Sequence, residues 1–164
     1  MYSVNDVVVY GSFGVCRITA VEKRDLTGTE QEYYILKHLG SDSSVCYVPV
    51  NNEKALSKMH SVCTRAQVDE LISYMGTGEL IWIDNEIKRK EEYSRIIKGD
   101  DKKELIMLVR TLYLRRRELT ENGRRLRITD ENYLSLAEKM LFEEFAYALG
   151  IEQSEVAGYI EQHI

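Results

Sequence analysis

Apolar and polar positions alternate with a period of two over most of the first fifty residues, and beyond residue 64 the period becomes helical. The run VVVY at 7–10 ends in a turn made by Gly11, Ser12, Phe13 and Gly14. VCRITAVEK at 15–23 then alternates up to a second turn at 25–29, which contains Gly28. QEYYILKHL at 31–39 and SVCYVPV at 44–50 follow, divided by Gly40, Ser41 and Asp42. Short β-rich runs at this spacing predict a small, strongly bent sheet or barrel. Pro49, which has no amide donor, marks the end of the last run.

The helical part opens at Thr64, a good N-cap, with Val68, Leu71, Ile72 and Met75 forming one apolar face before a stop at Gly76, Thr77 and Gly78. A second, highly charged helix is predicted over 84–98, ended by Gly99. A third, capped by Asp100 or Asp101, runs to about Glu121 and turns Leu105, Leu108, Val109, Leu112 and Tyr113 inward. Asn122 and Gly123 break the chain before a fourth helix with Thr129 or Asp130 as cap. Its inward stripe is Leu134, Ala137, Leu141, Phe145 and Ala148, and Gly150 ends it. A last short helix carries Val156, Tyr159 and Ile160. The expected architecture is therefore an α+β protein of two domains: a β module at 1–52, a junction at 53–63 and an all-α helical bundle at 64–164.

With 44% hydrophobic and 30% charged residues, the chain has the composition of a globular protein. No run approaches the roughly 18 consecutive apolar residues of a membrane span, and the first residues lack the basic then apolar layout of a signal peptide. A cytoplasmic location and no membrane partner are expected. Cys16, Cys46 and Cys63 are an odd number at wide spacing, with no CxxC pair, so buried thiols are expected in place of a metal site. The three histidines are scattered, and no nucleophile motif, paired carboxylates or phosphate-binding loop stands out. The expectation is a protein that is not an enzyme, takes no cofactor and has no small-molecule substrate.

The net charge of −5 changes the picture only once it is resolved along the chain. Residues 82–127 hold 14 basic against 9 acidic side chains, whereas 128–164 hold 1 against 8. A polyanion responds to the local field and not to the sum, so contact with nucleic acid stays open for the central block alone.

The order VNDVVVYGSFGVCRITAVEKRD, a Gly turn, EYYILK and VCYVPVNN resembles the RNA-polymerase-interacting domain shared by CarD, CdnL and transcription-repair coupling factors. The later pieces IIKGDD, LIMLVRTLYLRRREL and YLSLAEKMLFEEFAYALG resemble the helical domain of CarD/CdnL proteins. The resemblance implies a Tudor-like or SH3-like N-terminal module that binds the RNA polymerase β subunit and a helical module that contacts promoter DNA. It places the family's basic polymerase contact on Arg24 and its second contact, on the fourth strand, on Tyr47. Arg24 also reads as a solvated strand-end charge.

The family's tryptophan, lodged in the minor groove at the edge of the opened promoter, falls on Trp82, the single tryptophan of the chain. A core or interdomain role for Trp82, between Ile81 and Ile83, stands beside that reading. Lys88, Arg89, Lys90 and Arg95 on the following helix are candidate phosphate contacts, with a solvated helix face carrying pairs such as Glu91 with Arg95 as the alternative. Arg115, Arg116, Arg117, Arg124, Arg125 and Arg127 form a second basic patch. The implied function is stabilisation of the promoter open complex by contacts that do not read sequence. An adaptor that binds polymerase and never touches DNA is the alternative.

Overall fold

The computed structural model describes residues 1–40 and 43–163, so Ser41 and Asp42 of the expected turn lie outside the described residues. The chain divides into two compact units, Met1–Val62 and Cys63–Ile164.

In the first unit, β1 (Val7–Tyr10), β2 (Gly14–Asp25), β3 (Glu30–His38), β4 (Val45–Pro49) and β5 (Met59–Ser61) form one antiparallel sheet in the order β4-β3-β2-β1-β5. Strand alternation sends Val8, Cys16, Ile18, Tyr34, Leu36, Val48 and Met59 to one face, where they make the core. The β2–β3 turn depends on Gly28, whose φ of +90° suits a residue without Cβ and whose amide donates to Asp25 Oδ1 at 2.8 Å. The register shifts between Ile18 and Ala20, a bulge that pairs Ala20 with Ile35, Glu22 with Tyr33 and Arg24 with Gln31. Ala20, Glu22 and Arg24 therefore stand on the face opposite the core.

The stretch 53–63, expected as a junction, carries two elements that no sequence period announced. Asn52 caps a one-turn helix, α1 (Glu53–Leu56), by accepting from the Ala55 amide. The chain then returns as β5, which pairs Met59 with Tyr10 and Ser61 with Val8 and so supplies one edge of the sheet.

The second unit contains α2 (Arg65–Thr77), α3 (Glu86–Lys98), α4 (Lys102–Glu121), α5 (Ile128–Leu149) and α6 (Gln153–His163). Thr64 opens α2 with a reciprocal capping box to Gln67, Asn85 caps α3 and Asp101 caps α4. The expected cap of α5 differs. Its N-cap is Arg127, and Thr129 and Asp130 lie inside the first turn. Gly150, at φ +67°, closes α5 in the left-handed conformation.

The α4 helix packs against α2, α3 and α5 and is therefore buried on more than one side. Ile106, Met107 and Thr111, outside the expected stripe, are buried together with Leu105, Leu108, Val109 and Leu112, while Tyr113 is 41% exposed. Phe145, Leu141 and Leu134 of α5 and Tyr93 of α3 complete the centre of this core, and α6 adds Val156 and Ile160. Cys16 and Cys63 are buried and Cys46 is half-buried, and none of the three forms a disulfide. No helix of the described residues is long and apolar enough to cross a membrane.

Candidate functional site

On the outer face of the sheet, the two residues singled out from sequence come together. The Arg24 guanidinium lies 5.5 Å from the centre of the Tyr47 ring and donates to Glu22 Oε2 at 2.9 Å. Between them in the sheet stands β3, whose Tyr33 meets Tyr47 edge to face at 6.5 Å between ring centres. Tyr33 is 3% exposed, and its hydroxyl accepts from Gln31 Nε2 at 2.8 Å. Arg24, Tyr47 and Glu22 remain open to solvent. The arrangement is a half-exposed aromatic ring on an aromatic support, flanked by a cation. Tyr33 is the member that sequence reasoning passed over, although two tyrosines side by side on one strand place one of them on each face.

In the helical unit, Trp82 lies in the segment between α2 and α3, partly buried and packed against the core. Its Nε1 donates to Asp84 Oδ1 at 3.0 Å. Two guanidinium groups lie against its ring, Arg89 at 4.4 Å from the centre and Arg115 at 4.7 Å. Trp82 is thus partly packed against the core and partly open to solvent.

The four basic residues of α3 have very different surroundings. Lys88 and Lys90 are exposed. Arg89 is 3% exposed and does not face solvent at all. It forms a two-pronged ion pair with Asp130 of α5, with both contacts at 3.0 Å, and donates to the backbone oxygens of Ile83 and Asp84. Hydrogen bonding to Asp130 holds its guanidinium still more firmly protonated than usual. Asp130 is itself 2% exposed, so each charge is compensated by the other where water is excluded. Arg95 is exposed but held between Glu92 and Glu104, at 2.6 and 2.8 Å, which raises its pKa and lowers that of Glu92. The expectation of a shared phosphate-facing set thus needs correction for Arg89, whose side chain points inward because an acid on another helix awaits it there.

The second basic patch is divided in the same way. Arg115 pairs with Glu118, Arg116 with Glu131, Arg117 with Glu121 and Arg127 with Glu86. Arg124 and Arg125, on the loop between α4 and α5, are exposed. With Trp82, Arg115, Arg127 and Leu119 they line a cleft of about 340 Å³. Asp84, Glu86 and Asp130 line the same cleft, so its charge is mixed. Exposed arginines beside an aromatic ring are an arrangement by which proteins approach a phosphate backbone and its bases.

Residues 2–60 match the family model described as the CarD-like/TRCF RID domain. No curated protein matches the chain.

Proposed function

We propose that the protein, whose residues 2–60 match the CarD-like/TRCF RID domain, is a transcription regulator that binds the RNA polymerase β subunit through its N-terminal unit and contacts promoter DNA through its helical unit. Arg24 and Tyr47 form the polymerase-facing patch, with the buried Tyr33 ring as its floor. An aromatic and an arginine at the centre of a patch are the side chains that most often dominate binding energy at protein interfaces.

On the helical unit, Trp82 approaches the distorted edge of the opened promoter while Lys88 and Lys90, with Arg95 at the end of the same helix, lie along the backbone phosphates. Arg89 serves this site from beneath, through Trp82. The observation that carries the reading is that the single tryptophan lines a cleft together with the exposed Arg124 and Arg125. No bond is made or broken. Contacts that are stronger in the open than in the closed promoter shift the population toward the open state, and a coupling of about 1–3 kcal/mol changes that ratio about 5- to 150-fold.

The test is the lifetime of the open complex on promoter DNA, measured with purified polymerase across a salt series. A protein that touches DNA extends the lifetime less as salt rises, because each phosphate contact releases counterions. The second reading, an adaptor on polymerase that leaves DNA untouched, draws on the many carboxylates that already compensate arginines in this unit. An effect that survives removal of the Lys88 and Lys90 charges and ignores salt favours the adaptor.

A further inference from the structure

The segment that joins α2 to α3, residues 78–85, has no regular secondary structure, yet three buried side chains grip its backbone. The Ile81 amide donates to Thr111 Oγ1 of α4 at 3.0 Å, and the Tyr93 hydroxyl of α3 donates to the Ile81 oxygen at 3.2 Å. Arg89 Nη1 donates to the oxygens of Ile83 at 2.9 Å and Asp84 at 3.3 Å, while Nε and Nη2 hold Asp130 of α5. Thr111, Tyr93, Arg89 and Asp130 are all buried. The residue on either side of Trp82 is therefore tied down, and the Arg89 guanidinium lies against the ring itself.

Connecting segments ordinarily lie over the surface and move. Burying Thr111, Tyr93 and the Arg89–Asp130 ion pair to fix one such segment gains little stability over apolar packing of the same volume, because each group must first leave water. It does impose one geometry, since any displacement of the segment leaves several buried donors and acceptors unmatched at once. From this convergence we infer that Arg89, Tyr93 and Thr111 are positioning residues that hold the Trp82 ring in one place and orientation. The DNA part of their role rests on the function proposed above: a tryptophan fixed in advance spends none of its binding energy on being ordered.

Trp82 is the sole tryptophan of the chain, so its fluorescence reports this one ring. Thr111→Val and Tyr93→Phe each remove the gripping oxygen and keep the approximate shape of the side chain, whereas Thr111→Ser keeps the hydroxyl. In the full-length protein, Thr111→Val and Tyr93→Phe are expected to shift Trp82 emission to the red, lower its anisotropy and shorten the open-complex lifetime by about fivefold or more. Polymerase affinity stays unchanged, and Thr111→Ser restores the wild-type values. A merely structural role lowers the melting temperature in both variants and leaves emission and anisotropy unmoved well below the transition, which overturns the inference. Changed fluorescence with an unaltered lifetime keeps the positioning role and removes the DNA contact instead.

Discussion

Arg24 on β2 and Tyr47 on β4 meet across the intervening strand β3, with the guanidinium 5.5 Å from the ring centre. Neither residue is needed to close the core, which lies on the other face of the sheet. The pair is free to serve a partner, and its separation from the core makes recognition and folding independently measurable.

Arg24→Glu places a second carboxylate beside Glu22 and removes the cation from the ring. The exposed Arg24–Glu22 pair is worth roughly 0–1 kcal/mol, so the melting temperature barely changes. Affinity for polymerase falls by about tenfold or more, the loss of about 1.4 kcal/mol that a central interface residue commonly carries. Tyr47→Ala behaves alike. Equal binding by wild type and both variants, in a titration against the purified β subunit, removes this face from the interface.

Trp82→Ala costs less stability than the about 3–5 kcal/mol of a fully buried tryptophan, because part of the ring already meets solvent. The open-complex lifetime shortens while polymerase binding is retained. Thermal melting and lifetime measured on one preparation separate the two effects, and a large stability loss with an unaltered lifetime rejects the wedge.

Arg89→Met leaves the Asp130 carboxylate buried without its partner and is expected to destabilise the helical unit by about 3–5 kcal/mol. The double variant Arg89→Met with Asp130→Leu recovers part of that loss, since the apolar pair leaves no buried charge, while the Ile83 and Asp84 oxygens still lose their donor. Denaturant titration of the four-member cycle reads the coupling directly. If the single and double variants are equally unstable, Arg89 acts through packing and not through its charge.

Burial, reinforced by the charge of Asp130, pushes the Tyr93 phenol up to about 12 from 10.0. Its folded-state pKa is raised, so the stabilising contribution is fully present below pH 10 and is lost as pH climbs toward 12. The total at stake is on the order of 2–3 kcal/mol. Unfolding curves between about pH 9 and 12 should show a steeper fall in stability for wild type than for Tyr93→Phe, and parallel curves count against a buried, hydrogen-bonded phenol.

Lys88 and Lys90 are exposed, whereas Arg95 is held by two carboxylates. Replacing both lysines by alanine should weaken DNA binding uniformly across sequences and reduce the slope of log K against log salt by about 0.9 for each phosphate that is no longer neutralised. Arg95→Ala reduces it less. An unchanged slope for the lysine variant moves the DNA interface off α3.

Much of the fold was legible because its signals are local. The bounds of β1 matched the run VVVY, and Thr64, Gly99 and Gly150 ended or opened helices where their chemistry requires. The short elements α1 and β5 were not legible, since a single turn and a three-residue strand have too few positions to show a period. Arg89 was misread for a different reason. Within its helix it is one of several consecutive basic residues, and the partner that draws it inward, Asp130, is 41 residues away. For the same reason Asp130 looked like a helix cap: an acid near a helix start has two uses, and only the tertiary structure decides between them.

Beyond the bulge at Ile18, β2 is hydrogen-bonded to β3 on one side and, among the described residues, has no strand on the other, because β1 pairs only with Gly14–Arg17. A bare strand border of this kind invites the same border of another molecule to add itself, which is how soluble sheets begin to stack into aggregates. Glu22, Lys23, Arg24 and Asp25 place charges of both signs along it. Stripping those charges together is expected to make the protein sticky at high concentration even where each single substitution leaves it well behaved. The strand that carries the proposed polymerase contact is thus also expected to keep copies of this chain apart.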